Sequence, residues 1–334
     1  MNGAYPSNAG AETNIAAPRA GVRTKLLLTA AAALAFILLF LVINIRGDWQ
    51  YALTRRLLVV AAVVLSAAAT GGATVIFQTL THNRILTPSI IGLDSLYVLM
   101  QTAVVFVLGA ASTAWTDATV HFVLSAGLLA AFASLLYHKL FSTERFNVYF
   151  ILLIGLIAGT LFQSLSSFLQ MTIDPNEFLV AQGRMFATFN NVRPNVLVIA
   201  AAAIASVGLY VRPYFKYLDV LALGREHAIN LGVDYNRVVR RLWTAVILLT
   251  AVATALVGPI TFLGLLTVNL AHQLLRDYRH TTLLAGTCLI GIALLSGGLL
   301  LVERVFAFAT PVSVIVNLAG GVYFLYLVLK ESQA

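Results

Sequence analysis

Long apolar runs alternate with short polar segments along most of the 334-residue chain. Most runs hold about 20 residues, the length of helix that crosses a ~30 Å hydrocarbon core. A transmembrane β-barrel would instead show roughly ten-residue strands of alternating polarity. The runs predict membrane spans at residues 26–45, 57–80, 90–110, 119–138, 147–171, 194–211, 242–257, 261–275, 282–302 and 312–330. The pattern therefore predicts an all-α polytopic membrane protein of about ten transmembrane helices.

Composition supports this fold class. Hydrophobic residues make up 60% of the chain and charged residues 10%, which is too little charge for the surface of a soluble domain of this size. Residues 1–23 are small, polar and rich in Pro, Gly and Asn, and they predict a disordered tail. The apolar run Leu26–Ile45 is too long for a signal-peptide core. It is predicted to be a retained first span, so that residues 24–334 form one transmembrane domain.

The distribution of positive charge predicts the orientation. If the N-terminus is cytoplasmic, most Lys and Arg residues fall in cytoplasmic segments, as the positive-inside rule requires. Ten spans then place the C-terminus on the same side. We expect a multi-pass protein of the bacterial cytoplasmic (inner) membrane, in contact with membrane lipid. The net charge of +8 is explained by this topology and requires no nucleic-acid partner.

One polar stretch, Arg212–Arg241, is long enough to form a docking surface for a cytoplasmic partner. It contains the run LGREHAINLG, residues 223–232. The small residues Gly224, Ala228 and Gly232 are spaced i, i+4 and i+8, which predicts a helix face that another surface can approach closely. Leu223 and Leu231 would add apolar contacts. The alternative is an amphipathic loop that lies on the lipid headgroups.

The eighth predicted span is short and follows Gly258-Pro259. Glycine allows a tight turn, and proline can begin a helix without the loss of an intrahelical hydrogen bond. We expect Gly258–Gly264 to form a sharp external reversal. The short helix that follows is expected to be buried among its neighbours.

Sequence motifs for catalysis or metal binding are missing. The chain has no G-x-x-x-x-G-K-[ST] phosphate loop, no H-E-x-x-H pair, no G-x-S-x-G elbow and a single cysteine, Cys288. We therefore predict no catalytic residue, no metal site and no bound cofactor, and any ATP must bind a partner subunit. An integral membrane enzyme is disfavoured.

Charged residues deep inside spans are scarce, which weighs against an ion-coupled secondary transporter. Asp94 is the main exception, and it is either a solvated interfacial carboxylate or a pore-lining or structural residue. Other polar side chains in the spans either line a wide translocation path or join helices by hydrogen bonds. The tentative path residues are Gln78, Asn83, Asp94, Gln101 and Gln163.

Five motifs in sequence order carry a resemblance to a known family. They are FQTLTHNRILTPSIIGLDSLY (77–97), LGREHAINLG (223–232), GPITFLGLLTVNLA (258–271), Glu303-Arg304 and TPVSVIVNLAGGVYFLYLVL (310–329). The chain resembles the permease subunits of iron-siderophore and vitamin B12 ABC importers, from about residue 50 onwards. The resemblance implies the vitamin B12 importer-like (type II) permease fold and the import of a ferric siderophore.

The same resemblance implies the partners. They are two copies of a cytoplasmic ATP-binding subunit, a second permease subunit that is either identical or a sister protein, and an extracytoplasmic substrate-binding protein. Two short cytoplasmic helices would couple this chain to the ATPase. The coupling residues implied are Leu223, Gly224, Glu226, Ala228, Leu231 and Gly232. The rival function is an ion-gradient-driven secondary transporter of a small solute.

Arginines on the outer side are implied to dock the binding protein by pairing with its glutamates. The candidates are Arg55, Arg56 and Arg304. The chain reads Thr54-Arg55-Arg56-Leu57 where the family usually has R-x-P-R, and we prefer Arg56 for its spacing from Gln78. The alternative is that these arginines snorkel at the membrane interface.

Several segments narrow the resemblance to the branch that imports catecholate-type siderophores. The chain has Val268-Asn269 and His272 where many members carry a Pro-His pair and an arginine, and it also carries NRILTPSIIG (83–92), Asp94-Ser95-Leu96-Tyr97 and MTIDPNEFLVAQGRMFATFNN (171–191). The outer segment Thr172–Pro194 is expected to form either a gate or interfacial helix, or a plain amphipathic connector.

Overall fold

The computed structural model describes residues 19–43, 48–109, 112, 116–141, 148–189 and 192–331. Regular structure in these ranges is helical throughout. The helices are α1 (Arg19–Val42), α2 (Trp49–Thr81), α3 (Leu93–Leu108), α4 (Ala118–Phe141), α5 (Val148–Thr172), α6 (Pro175–Met185), α7 (Pro194–Val211), α8 (Phe215–Leu221), α9 (Arg225–Asn230), α10 (Tyr235–Val257), α11 (Leu263–Leu275), α12 (His280–Arg304) and α13 (Val312–Glu331). The all-α prediction is confirmed.

Each predicted span corresponds to a helix. Eight helices in the described ranges are long and apolar enough to cross a membrane, and α3 and α11 are shorter apolar helices. The chain is a multi-pass membrane protein. The predicted tail overlaps α1, which begins at Arg19, and residues 1–18 of that tail lie outside the described residues.

Besides α1, two helices begin well before their apolar runs. α2 starts eight residues before residue 57, where Asp48 accepts hydrogen bonds from the backbone N–H groups of Gln50 and Tyr51. α10 starts seven residues before residue 242, where Asp234 caps the helix through the N–H of Arg237. Hydropathy marks the part of a helix inside the membrane, whereas capping residues set where the helix begins.

The core is built around α2 and α10, the two most enclosed of the spanning helices. The rings of Phe77 and Trp243 meet between them with centroids 5.5 Å apart. On another side of α2, a Cβ at Gly264 would collide with the side chain of Thr74. Glycine is therefore required where α11 crosses α2, and the short helix is buried as expected.

The turn between α10 and α11 lies inside the bundle, and its placement on the outer side of the membrane stays a prediction. Gly258 has φ 94°, which favours glycine, and Val257, Gly258 and Ile260 are all buried. The segment 186–189 covers the turn, with the N–H of Thr188 2.8 Å from the carbonyl oxygen of Val257. The sequence could not show this cover, because it comes from a distant part of the chain.

The segment 172–194 contains a helix. Pro175 stands in the first turn of α6, and the carboxylate of Asp174 accepts a hydrogen bond from the N–H of Asn176. Whether this helix acts as a gate or interfacial helix, or only connects α5 to α7, stays a prediction.

Candidate functional site

The loop between α7 and α10 forms a compact two-helix element, which we call the α8–α9 element (residues 212–234). It consists of a 3₁₀ turn at Arg212–Tyr214 followed by α8 and α9. Leu218, Leu221 and Ala228 are buried against the helical bundle. This packing fixes the element on one end of the bundle, and the opposite end is called the far end below.

The predicted small-residue stripe is not a continuous helix face. α9 holds only the six residues Arg225–Asn230, and Gly224 and Gly232 flank it with φ values of 101° and 80°. Ala228 has no exposed surface. It therefore stabilises the element from inside and cannot contact a partner, and its assignment as a contact residue was wrong.

The exposed face of the element is apolar at three positions. Leu223, Ile229 and Leu231 are 59%, 49% and 65% exposed. Glu226 is also exposed, between them on α9. A cluster of large apolar side chains next to charged residues is typical of a protein docking surface. Ile229 was missed, because a six-residue helix carries too few turns to reveal its outer face from sequence.

A hydrogen-bonded chain joins this element to two spanning helices. Asp219 of α8 lies 2.6 Å from His280 Nδ1 and accepts the N–H of His280 at 3.0 Å. The other ring nitrogen, Nε2, lies 2.8 Å from Thr79 Oγ1 of α2. His280 is buried at the start of α12. The link therefore ties α8 to both α2 and α12, and no sequence motif indicated it.

The far end holds the predicted arginines in different environments. Arg56 forms an ion pair with Glu303 at 2.7 Å and donates to carbonyl oxygens at the end of α1, including that of Ile43 at 2.9 Å. Arg304 donates to the same Ile43 carbonyl at 2.7 Å and lies 3.2 Å from Glu303. The side chain of Arg56 is only 15% exposed, whereas Arg55 is exposed.

These contacts give Arg56 a structural role. Carbonyl groups at a helix C-terminus lack intrahelical partners, and a guanidinium satisfies several of them at once. The preference for Arg56 over Arg55 as a docking residue is therefore not supported by its geometry. Arg55 is the better placed of the two.

Three of the residues predicted to line the translocation path form hydrogen bonds within this chain, either to loop backbone or between helices. Gln78 is buried and donates to the carbonyl oxygens of Arg84 and Leu86. Asn83 accepts the N–H of Ile85 in the loop after α2. Gln101 is buried between α3 and α4, where it contacts Ser125 and His121. In this subunit the three side chains therefore make local structural contacts, and their place along a translocation path stays a prediction.

Asp94 is half-buried near the start of α3. Its Oδ2 accepts a hydrogen bond of 2.9 Å from Thr261, in the buried turn before α11. A cavity of about 20 Å³, room for about one water molecule, lies beside it. Thr250 Oγ1 also lines this cavity and is buried with no hydrogen-bond partner in the described part of the chain. The role of Asp94 as a pore-lining or structural residue stays a prediction.

Gln163 is the exception among the path candidates. It is exposed on α5, together with neighbours spaced i, i+3, i+4 and i+7. This polar stripe consists of Thr160, Gln163, Ser164 and Ser167. The three hydroxyl groups donate to backbone carbonyls of their own helix, so no other helix of this chain is needed to satisfy them. The polar face therefore points away from the subunit.

Known proteins share the sequence and the helical architecture of this chain. The FecCD transport family matches residues 27–330, nearly the whole chain. The chain belongs to the FecCD transport family. Within the described residues of this FecCD protein, no group of three or more His, Cys, Asp or Glu side chains is placed to hold a metal ion.

Relatives of this FecCD protein are named as permeases. It is 50% identical over 310 residues to the petrobactin import system permease protein YclO of Bacillus subtilis, covering 93% of this chain and 98% of the relative. It is 34% identical to the petrobactin import system permease protein FatC of Bacillus anthracis, over 78% of this chain and 73% of that one. These two relatives are transport components rather than enzymes.

A solved structure shares the fold. An ABC transporter of metal-chelate type, in an inward-facing conformation, superposes with a TM-score of 0.75 at 22% sequence identity, covering 92% of this chain and 99% of the other. At this level of identity the match establishes the fold alone. The type II importer permease fold is thereby confirmed for this FecCD protein.

Proposed function

We propose that this chain is the membrane-spanning permease subunit of an ABC importer that moves a ferric siderophore of catecholate type into the cytoplasm. The observation that carries the proposal is the 50% identity, over almost the full length of both chains, to a petrobactin import permease. Petrobactin is a catecholate-type siderophore. The chain itself breaks no bond in its cargo.

The α8–α9 element is the proposed docking site for the ATP-binding subunit, which binds and hydrolyses ATP. Leu223, Ile229 and Leu231 supply exposed apolar contacts, and Glu226 supplies a charge beside them. Gly224 and Gly232 act by allowing the turns that shape the element, since both have positive φ. The residues proposed to contact the ATP-binding subunit therefore differ from those predicted from sequence, but they lie in the same loop.

Force from the ATPase would pass into the bundle through Asp219, His280 and Thr79. Their contacts of 2.6 and 2.8 Å join the docking element to the ends of α12 and α2. Buried hydrogen-bonded links of this kind resist stretching because a separated polar group would remain unpaired away from water. A displacement of α8 would therefore move both helices.

The far end is the proposed docking surface for an extracytoplasmic binding protein. Arg55 is exposed and Arg304 is partly exposed at 29% of its side chain. Positive charge on the outer side of a membrane protein runs against the positive-inside tendency, so it suits an acidic partner. Arg56 supports this surface through its ion pair with Glu303.

A second permease subunit is proposed to face the polar stripe of α5. Hydroxyl and amide groups facing outward suit a water-filled path between two subunits better than lipid. The complex would hold two permease subunits, identical or sister proteins, and two ATP-binding subunits. It would lie in the bacterial cytoplasmic membrane with both termini in the cytoplasm, as the charge distribution favours.

Growth under iron starvation tests the cargo. We expect a strain that lacks the gene and makes no siderophore to lose growth on ferric petrobactin as sole iron source. Wild-type gene should restore growth, and the variant Leu231→Asp should not. Unimpaired growth of the deletion strain on petrobactin, with growth lost on a hydroxamate siderophore, would contradict the proposed cargo class.

A further inference from the structure

A second cavity, larger than the one beside Asp94, opens at the far end and is not part of the polar stripe. It has a volume of about 330 Å³. Its walls come from the starts of α4 and α7 and from Phe186, Thr188 and Val192, and the end of α10 forms its floor. We call it the mouth pocket. Its size is that of a small-molecule site, large enough for one substituted ring.

Three aromatic side chains line the mouth pocket. Tyr97 and Phe122 are each 3% exposed, so their rings are held by packing on the inner wall. Phe186 is 42% exposed and stands at the opening. Aromatic walls of this kind favour an aromatic guest, which can pack edge-to-face or offset-stacked against them.

Two nitrogen-bearing side chains face the same space. Arg193 lines the pocket, and its guanidinium is always charged and offers a planar fork of donors. His121 also lines it, and Nε2 lies 2.7 Å from Gln101 Oε1. An amide oxygen only accepts, so Nε2 carries the proton and the imidazole is held in a fixed orientation by α3.

The charge around the pocket limits the charge of its guest. Asp117 interacts with Arg193, and the backbone N–H groups of Val120 and Thr119 hold the pKa of that carboxyl below its ordinary value. Asp117 therefore stays ionised and offsets part of the arginine charge. A guest with one negative charge is favoured over one with several.

We propose that the mouth pocket binds a single hydroxylated aromatic ring that carries one negative charge. Phe186 and Phe122 would pack on the ring, and Arg193 would pair with its oxygen atoms. The inference deepens the proposed function, on which its biological meaning rests: the ring would be one arm of a catecholate cargo arriving at the far end.

Binding of a small probe tests the pocket directly. The full-length protein in lipid nanodiscs would be titrated with 2,3-dihydroxybenzoate, with binding followed by saturation-transfer NMR and with empty nanodiscs as the blank. We expect saturable binding above that of the blank. Cyclohexanecarboxylate has the same charge but a saturated ring without hydroxyl groups, and it should bind about tenfold more weakly, chiefly because it loses the aromatic packing.

Matched variants locate the site. Arg193→Gln and Phe186→Ala should each weaken probe binding about tenfold, the scale of one charge-assisted or one aromatic contact. Asn195→Ala is the control, since Asn195 is exposed on the same turn of α7 and does not line the pocket. Both substituted side chains are exposed, so thermal unfolding should be little changed.

The possible outcomes separate this proposal from the transport function. No saturable binding, equal binding of the cyclohexane probe, or undiminished binding by Arg193→Gln would overturn the pocket assignment. The probe measurement needs neither ATPase nor binding protein. ATP-driven uptake by the wild-type complex is measured separately, so a failure of transport would leave the binding result intact, and the reverse also holds.

Discussion

Arg55 and Arg56 are sequence neighbours with different environments. The guanidinium of Arg56 binds Glu303 and the last carbonyl groups of α1, while that of Arg55 is exposed. Sequence alone identified the pair and favoured Arg56 for docking, because spacing does not show which side chain turns inward. The contacts that decide the matter come from α1 and α12, 13 and 247 residues away along the chain.

Replacement of Arg56 should reduce stability. Arg56→Ala leaves Glu303 without this ion pair and several carbonyl groups without their donor, which we expect to lower the free energy of unfolding by about 1–3 kcal/mol. Thermal unfolding of the purified protein in detergent measures the change.

Arg55→Glu should instead weaken the docking of the binding protein at low salt, measured by surface plasmon resonance. Unchanged docking of Arg55→Glu would contradict the assignment of Arg55.

At the scale of elements, the sequence predicted the spans well because hydropathy over about 20 residues is a strong signal. It also located the polar element between α7 and α10, whose coupling role stays a prediction. What it could not predict was the inner face of α9, the cover of the buried turn, and the Asp219–His280–Thr79 link. These features depend on residues brought together from distant helices, and a single sequence carries no record of them.

Two substitutions in the α8–α9 element should separate packing from docking. Ala228→Leu inserts a large side chain where no surface is exposed, which should destabilise the protein by about 1–3 kcal/mol. Leu231→Asp changes a side chain that is 65% exposed, so thermal unfolding should be nearly unchanged while the ATPase no longer copurifies. Normal copurification of the ATPase with Leu231→Asp would rule out this docking face.

The hydrogen-bonded link should couple ATP hydrolysis to transport. His280→Phe keeps a ring of similar size but cannot bond Asp219 or Thr79. We expect the complex to assemble and hydrolyse ATP, with several-fold less cargo moved per ATP, since a lost charged hydrogen bond costs about 1.5–3 kcal/mol. Parallel assays of uptake and phosphate release measure this ratio. Thr79→Val removes one bond and should have a smaller effect; an unchanged ratio in both variants would exclude the link.

At the scale of the whole molecule, α5 presents its polar stripe outward beside exposed apolar side chains such as Leu161 and Leu165. A path between two subunits accounts for this face. Ser164→Trp should block uptake by filling that path, while binding-protein-independent ATP hydrolysis persists. Leu161→Trp is the matched control, because Leu161 is 63% exposed on the apolar flank of the same helix. Equal loss of uptake in both variants would place the path elsewhere.

The energy source is the most direct test of the central claim. The permease, its ATPase and its binding protein would be reconstituted in proteoliposomes, and uptake of ferric petrobactin measured with ATP on the cytoplasmic side. We expect uptake that requires ATP and binding protein and that persists when a protonophore collapses the proton gradient. Uptake by the permease alone, driven by an ion gradient without ATP, would contradict the account.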